Sequence, residues 1–212
     1  MRTSTRWTLL VLAVIGALVF GFALELSGNS DRPGDLPAPD GRTHRDADTP
    51  EALAGPRQRA DLAPCPADGP GAGPEPLRGV VVECAADGSQ VDVARALADR
   101  TVVLNLWAYW CGPCADELPA MQAYQRRAGD AVTVVTVHQD ENEAAALARM
   151  AELGVHLPVL QDGRRSIAAA LRLPNVMPAT VILRMDGSVA AVLPKPFNSA
   201  DEIGAAVDSA LR

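Results

Sequence analysis

Two cysteines separated by two residues, Cys111 and Cys114, lie in the sequence Trp-Cys-Gly-Pro-Cys that begins at Trp110. An uncharged, mostly apolar run over residues 101–108 precedes them and predicts a buried parallel strand. Residues 115–124, which follow, have the apolar spacing of a helix. A Cys-x-x-Cys pair at a strand-to-helix junction is typical of dithiol–disulfide chemistry.

The two cysteines are predicted to have different roles. Cys111 lies where the helix is predicted to begin, and unpaired backbone N–H groups and the positive end of the helix dipole stabilise a thiolate there. Since the thiolate is the attacking form, Cys111 is predicted to be the nucleophile. Cys114 lies one turn further along and is predicted to resolve the mixed disulfide that forms on Cys111.

A zinc site and a purely structural disulfide are the alternatives for this pair. Zinc needs a second pair of ligands at short spacing. Cys65 and Cys84 are isolated in the sequence, and His44, His138 and His156 are scattered. We therefore favour redox chemistry and expect neither a metal nor a cofactor.

An apolar, uncharged segment covers residues 7–24. Its 18 residues would form a helix of about 27 Å, just long enough to span a bilayer. Arg2 and Arg6 precede it and Glu25 follows it, so the positive-inside rule places the rest of the chain outside the cytoplasm. We predict a cytoplasmic start and transmembrane anchor over residues 1–26; a cleaved signal peptide is the alternative.

Composition divides the rest of the chain into two parts. Residues 27–78 are dominated by Pro, Gly, Asp, Arg and Ala and bury too little apolar surface to offset their ordering entropy. We predict a semi-extended extracytoplasmic linker there, with at most a short helix near residues 49–54. Residues 79–212 are the predicted folded domain.

The cysteine count and the net charge add two expectations. Four cysteines in an exported chain indicate two disulfides. Proximity sets the pair of Cys111 and Cys114, which leaves Cys65 and Cys84 for a structural disulfide. The net charge of −7 argues against nucleic acid as a partner.

Strand and helix patterns fill the predicted domain. An Asp-Gly turn joins two short β-branched runs into a hairpin, and a second Asp-Gly joins another pair. The predicted strands are 80–84, 90–93, 101–108, 131–138, 157–161, 179–185 and 188–193, and the predicted helices are 94–100, 115–124, 141–153, 164–171 and 199–211.

The segment from Asn105 to Cys114, Asn-Leu-Trp-Ala-Tyr-Trp-Cys-Gly-Pro-Cys, resembles the active-site segment of the thioredoxin superfamily. The Glu-Leu-Pro at 117–119 is similar to that of membrane-tethered extracytoplasmic thiol-disulfide proteins of the TlpA and ResA type. This resemblance covers roughly residues 80–211. It implies a thioredoxin-like α/β fold, with a central mixed sheet flanked by helices and an N-terminal β-hairpin.

The resemblance also implies residues that support the active site. Met177 and Pro178 match a family pattern in which the proline has a cis peptide bond and packs beside the disulfide. The Met177 backbone would then be offered to an extended segment of the client protein. Trp110 would shape the docking surface, and Gly112 and Pro113 form the dipeptide found in thioredoxin.

Asn105 departs from the thioredoxin pattern, which has there a buried aspartate that takes the proton of the resolving cysteine. An amide cannot do this. Reductants of the ResA type have two glutamates near their cysteines, and the matching positions here are Glu117 and Glu141. A glutamate in a first helical turn is also favoured by the helix dipole alone. His138, at the end of a predicted strand, is expected to be solvated.

The resemblance implies a single-pass, membrane-anchored thiol-disulfide oxidoreductase whose C-terminal domain faces outward and reduces disulfides in client proteins. It implies a membrane electron donor of the CcdA or DsbD kind. It also implies apocytochrome c as a client, in cytochrome c biogenesis. The alternatives are a disulfide oxidase or isomerase, which would use the same cysteines in reverse, and a non-catalytic adaptor that only binds peptides.

Overall fold

The structure is a computed structural model, and it describes residues 48–212. The anchor predicted over residues 1–26 and the first part of the predicted linker lie outside the described residues. Within residues 48–212, no helix combines the length and the apolar character that crossing a membrane requires.

The described residues form a mixed seven-stranded sheet with the strand order β2-β1-β5-β4-β3-β6-β7. The strand β3 is parallel to β4, which is parallel to β5, and the remaining pairs are antiparallel. The strands are β1 (Val81–Cys84), β2 (Gln90–Asp92), β3 (Val102–Trp107), β4 (Thr133–His138), β5 (Val159–Gln161), β6 (Ala179–Leu183) and β7 (Val189–Leu193).

Helices cover both faces of this sheet. The helices α1, α3, α4 and α6 pack on one face, and α2 and α5 pack on the other. The helices are α1 (Pro50–Ala60), α2 (Val93–Ala96), α3 (Gly112–Ala128), α4 (Glu143–Leu153), α5 (Ser166–Ala170) and α6 (Ala200–Leu211), with short 3₁₀ turns at Glu75–Leu77 and Gly129–Ala131. This is the thioredoxin-like α/β fold that the sequence predicts.

The strand β3 lies at the centre of the fold, and all six of its residues are buried. Its carboxyl end is flanked by β4, where Trp107 pairs with His138, and by β6, where Leu106 pairs with Ala179. The chain therefore leaves β3 at an edge of the sheet that the end of β4 and the start of β6 also share. The cysteine motif follows directly at that edge.

The structure differs from the expected linker over residues 50–78. Thr49 caps α1, because its hydroxyl accepts a hydrogen bond from the Ala52 N–H. Leu53 and Ala60 are fully buried against the core, and Leu77 is buried on the opposite face of the sheet. A few apolar residues at the right spacing therefore give this Pro- and Gly-rich segment a fixed place on the domain, so the folded part begins well before residue 79.

Ionic contacts and a disulfide hold the same segment to the domain. The Arg57 guanidinium on α1 lies 2.6 Å from a carboxylate oxygen of Glu83 on β1 and 2.9 Å from one of Glu143 on α4. Cys65 and Cys84 are joined in a disulfide across 19 residues of sequence. The segment therefore has a covalent bond to β1 in addition to its buried contacts.

We expect the double variant Cys65→Ala/Cys84→Ala to be less stable by roughly 3 kcal/mol, since the chain-entropy model gives about that value for a loop near 20 residues. Denaturant unfolding of the oxidised proteins measures the difference. Exchange at Cys111 and Cys114 serves as the control and should persist, because the second disulfide is anchored in a different part of the core. An unchanged unfolding midpoint would contradict the prediction.

Candidate active site

Cys111 occupies the N-cap position of α3, and its sulfur accepts a hydrogen bond from the Cys114 N–H at 3.3 Å. Gly112 and Pro113 fill the first helical positions and are exposed. Proline suits this place because the first helical turn leaves its N–H groups unpaired anyway. The start of the helix therefore directs one backbone donor, the Cys114 N–H, towards the Cys111 sulfur, and the helix dipole favours a thiolate there.

Cys111 and Cys114 form a disulfide in the structure, so it describes the oxidised form. Exposure separates the two residues: Cys111 is 6% exposed and Cys114 is fully buried. Trp110, directly before Cys111, is 56% exposed. Cys111 is thus the more accessible of the two cysteines.

Met177 and Pro178 lie at the same edge of the sheet. They precede β6, whose first residue, Ala179, pairs with Leu106 near the end of β3. The peptide bond between them is cis. Met177 packs against the core cluster that contains both active-site cysteines. The structure thus brings this dipeptide and the cysteine motif together.

Glu117 is a fully buried carboxyl group on α3, one helical turn beyond Cys114. Its Oε2 accepts a hydrogen bond from Asn105 Nδ2 at 2.9 Å, and its Oε1 accepts one from the Phe197 N–H at 3.1 Å. Burial raises the pKa of Glu117 to about 7, although both hydrogen bonds lower it. This carboxyl group therefore changes its charge near neutral pH.

Asn105 is a buried hydrogen-bond donor at the site, a role that the sequence expectations do not include. It lies on β3 with its side chain fully buried, and its Nδ2 is also 3.4 Å from the Thr180 hydroxyl on β6. The signal was present in the sequence, since a polar residue inside an otherwise apolar central strand needs a buried partner. That partner is Glu117.

The two predicted glutamates differ in burial. Glu117 is enclosed beside the cysteines, whereas Glu141 is exposed. The helix predicted to begin at 141 begins at Glu143, because the Asn142 side chain accepts a hydrogen bond from the Ala145 N–H and ends the loop. Glu141 thus belongs to the loop after β4, not to the helix.

The expectation that His138 is solvated is wrong. His138 is fully buried, and its ring centroid lies 4.9 Å from that of Trp107 and 6.0 Å from that of Tyr109. Its Nε2 accepts a hydrogen bond from the Tyr109 N–H at 3.3 Å. Burial lowers the pKa of His138 to about 4, so the ring is neutral at neutral pH and retains this acceptor.

Further contacts hold the loop that carries the motif. Arg149 Nε donates a hydrogen bond to the Tyr109 carbonyl at 3.3 Å. The Trp110 indole Nε1 donates to Asp140 Oδ2 at 2.9 Å, which fixes the exposed ring beside Cys111. Within residues 48–212, no cluster of three or more His, Cys, Asp or Glu side chains is arranged to hold a metal ion.

The model of the family described as Redoxin matches residues 64–207. This chain belongs to the Redoxin family. The matched range starts inside the segment that the sequence analysis assigned to the linker, which agrees with the packing of that segment in the structure.

Curated relatives include the thioredoxin-like protein YneN of Bacillus subtilis (strain 168), 36% identical over 97 residues that cover 42% of this chain and 54% of YneN. The thiol-disulfide oxidoreductase ResA of Bacillus thuringiensis (strain Al Hakam) is 26% identical over 104 residues, or 49% of this chain and 59% of ResA. This chain thus spans less than two thirds of the length of either relative.

A solved structure with the same fold is that of a secreted Mycobacterium tuberculosis disulfide oxidoreductase homologous to E. coli DsbE. The TM-score is 0.55 at 23% sequence identity, and the match covers 64% of this chain and 98% of that one. At this level of identity the likeness establishes the thioredoxin-like fold.

The pKa of Glu117 predicts how stability depends on pH. The pKa is about 7 in the folded chain against 4.5 for an unperturbed glutamate, so between these values the folded state holds a proton that the unfolded state has lost. The free energy of unfolding of the wild type, measured relative to Glu117→Gln, is therefore highest below pH 4.5. It falls by roughly 3 kcal/mol as the pH rises to about 7.

Denaturant unfolding of the oxidised wild type and of Glu117→Gln between pH 4 and 8 measures this difference. Glu141→Gln is the matched control, since its carboxylate is exposed, and should leave the pH profile of the wild type unchanged. A constant difference between wild type and Glu117→Gln across the range would show that the carboxyl group titrates normally.

Proposed function

We propose that this chain is a thiol-disulfide oxidoreductase that reduces disulfides in client proteins through Cys111 and Cys114. The observation that carries the proposal is the asymmetric cysteine pair. Cys111 is the more accessible of the two and lies at a helix N-terminus, and Cys114 is enclosed one turn from a carboxyl group whose pKa burial raises to about 7. The names of the relatives YneN and ResA support the same chemistry.

The first step uses the reduced form of the protein. The Cys111 thiolate attacks one sulfur of the client disulfide, so a bond forms between Cys111 and the client while the client's own S–S bond breaks. The released client thiolate takes a proton from solvent. The Cys114 N–H at the start of α3 and the helix dipole stabilise the attacking thiolate, and the exposed Trp110 flanks the approach.

The second step releases the client. Cys114 loses its proton, and its thiolate attacks the Cys111 sulfur; the bond between Cys111 and the client breaks, the client sulfur leaves as a thiolate that takes a proton from solvent, and the Cys111–Cys114 disulfide remains. Two electrons have then passed from the protein to the client. Cys114 is fully buried, so its proton needs an internal acceptor, and the Glu117 carboxylate is one helical turn away on the same helix.

We further propose that this reaction takes place outside the cytoplasm, with residues 7–24 as a single membrane anchor. A second disulfide between Cys65 and Cys84 supports an oxidising compartment, because such bonds persist there. Turnover then needs a supply of electrons across the membrane, which a CcdA- or DsbD-type donor would provide. Apocytochrome c is the proposed client, since its Cys-x-x-Cys-His must be reduced before haem attachment.

The variant Cys114→Ser tests the assignment of the nucleophile. It lacks the resolving thiol, so we expect client proteins to accumulate as mixed disulfides on Cys111. Non-reducing electrophoresis detects the adducts, dithiothreitol releases them, and mass spectrometry identifies the clients. Cys111→Ser is the matched control and should trap nothing. Equal trapping by both variants would contradict the roles, and resistance of the wild-type disulfide to dithiothreitol would favour the peptide-binding adaptor.

Glu117→Gln tests the proton acceptor. In the wild type, release of the client from the mixed disulfide should accelerate as the pH rises through about 7, because Glu117 becomes able to accept a proton there. The variant should release roughly a hundredfold more slowly above pH 7 and lose this inflection. Rapid mixing of reduced enzyme with a fluorescent peptide disulfide measures the rate. Glu141→Gln is the control, and loss of the inflection in that variant alone would assign the role to Glu141.

A further inference from the structure

Arg165 is the residue directly before α5, and its backbone has the left-handed conformation, with φ of 59° and ψ of 32°. Glycine adopts this conformation at little cost, whereas a residue with a Cβ atom is strained in it. The turn is nevertheless fixed, because the Arg165 N–H donates a hydrogen bond to the Asp162 carbonyl at 2.9 Å. An arginine at a position that favours glycine indicates that its side chain has a function.

The guanidinium of Arg165 binds two amide oxygens from different parts of the chain. Its Nε donates a hydrogen bond to Gln139 Oε1 at 2.8 Å, and its Nη1 donates one to Asn175 Oδ1. Both donors belong to one planar group, so the two oxygens are held in a fixed relation to each other. Arg165 therefore bridges the loop after β4 and the residues before β6, the two strands on either side of β3.

The Gln139 end of this bridge is firmly held. Gln139 is only 5% exposed, and its N–H donates a hydrogen bond to the Trp107 carbonyl at 2.9 Å. Trp107 is the last residue of β3, from which the chain continues into the cysteine motif. One partner of Arg165 is thus anchored at the edge of the sheet that carries the active site.

The Asn175 end lies in residues 173–177, here called the pre-β6 segment. Its middle residues, Pro174, Asn175 and Val176, are exposed. The hydrogen bond from the Val176 N–H to the Pro174 carbonyl is internal to the segment and does not fasten it to the rest of the domain. The contact with Arg165 therefore links the middle of an exposed segment to the end of the sheet.

Met177 ends the pre-β6 segment, and its backbone is available to another chain. Within residues 48–212, no backbone–backbone hydrogen bond involves its N–H or its carbonyl, and the residue is partly exposed. Unpaired main-chain groups at the start of a strand can pair with an extended peptide. The Cα atom of Asn175 is two residues away, at most about 7.6 Å, so fixing Asn175 restricts the positions that the Met177 backbone can take.

We propose that Arg165 is a positioning residue for client binding. By bridging Gln139 and Asn175, it holds the pre-β6 segment so that the Met177 backbone can pair with an extended segment of the client. Without the bridge the segment adopts other conformations as well, and the apparent affinity for the client falls in proportion to the time spent in them. This inference rests on the proposed function, since it needs a peptide disulfide as the substrate.

Two pairs of variants test the bridge from its two ends. Asn175→Ala removes the exposed end and leaves Arg165 bound to Gln139, whereas Asn175→Asp keeps an oxygen for Arg165 Nη1 and should behave as the wild type. Arg165→Gln removes the bridge from the other end. Arg164→Gln is its matched control, because it takes the same positive charge from the adjacent, exposed residue.

The measurement is KM and kcat, determined separately for an eight-residue peptide with an internal disulfide and for bis(2-hydroxyethyl) disulfide, which has no peptide groups to pair with Met177. In Asn175→Ala and in Arg165→Gln we expect the KM for the peptide to rise roughly five- to tenfold, about the value of one hydrogen bond, with kcat nearly unchanged. Both constants for the small disulfide should stay close to those of the wild type. The double variant should resemble either single variant, because both remove the same bridge.

An unchanged peptide KM in Asn175→Ala would overturn the proposal. An equal rise in Asn175→Asp or in Arg164→Gln would also overturn it, because a change of charge would then explain the effect without the bridge. A fall in kcat for both substrates would give Arg165 a general role in the fold instead of one in client binding. If Arg165→Gln melts at a lower temperature than the wild type, Asn175→Ala decides the question, since Asn175 is exposed.

The two substrates also separate this inference from the proposed function. A wild-type protein that reduces both, with a peptide KM that neither Asn175→Ala nor Arg165→Gln alters, refutes the positioning role of Arg165 alone. A wild-type protein that reduces neither substrate refutes the proposed function, and the positioning role with it.

Discussion

The hydrogen bond between Glu117 and Asn105 joins the helix that carries both cysteines to the centre of the sheet. Asn105 is on β3, the strand between β4 and β6, and Glu117 is one turn past Cys114 on α3. The Phe197 N–H binds the second carboxylate oxygen, so the segment before α6 is fastened to the same group. Three separate parts of the chain therefore meet at one buried carboxyl group.

Two opposing effects determine the pKa of Glu117. Burial favours the neutral acid, and two hydrogen bonds from N–H donors favour the carboxylate, so the pKa of Glu117 lies near neutrality instead of far above it. In the thioredoxin pattern that the sequence resembles, the buried acid is on the strand. Here the strand has the amide and the helix has the acid, so the titrating group is on the same helix as the cysteine that it is proposed to serve.

The sequence predicts much of this fold because its strongest signals are local. A buried apolar run, Asp-Gly turns and a cysteine motif before a helical pattern are sufficient to place β3, the two hairpins and α3. The packing of α1 was not predictable in this way. It depends on Leu53 and on the contacts of Arg57 with Glu83 and Glu143, which are distant in sequence, whereas local composition there favours an extended chain.

The candidate active site, too, is predictable from local sequence only in part. The positions of Cys111, Cys114 and Pro178 follow from motifs, but the partners of Asn105, His138 and Gln139 depend on the pairing of strands. His138 illustrates this, since its place at a strand end suggests exposure. The register sets Trp107, His138 and Gln161 in one row across β3, β4 and β5, and the row is covered on that face. Only the assembled sheet shows that the ring is enclosed.

The row across the three strands also determines the tautomer of His138. Gln161 Nε2 donates to the Asp140 carbonyl at 2.6 Å, so its Oε1 faces the ring and must receive a proton from His138 Nδ1 at 2.9 Å. The other ring nitrogen, Nε2, is then unprotonated and accepts the Tyr109 N–H. Each donor in this series of hydrogen bonds has one acceptor. If the His138 ring were protonated, its Nε2–H would face the Tyr109 N–H, and neither could accept. Burial lowers the pKa of His138, so the ring is neutral and its Nε2 can accept the Tyr109 N–H, which helps to hold the backbone that leads to Cys111.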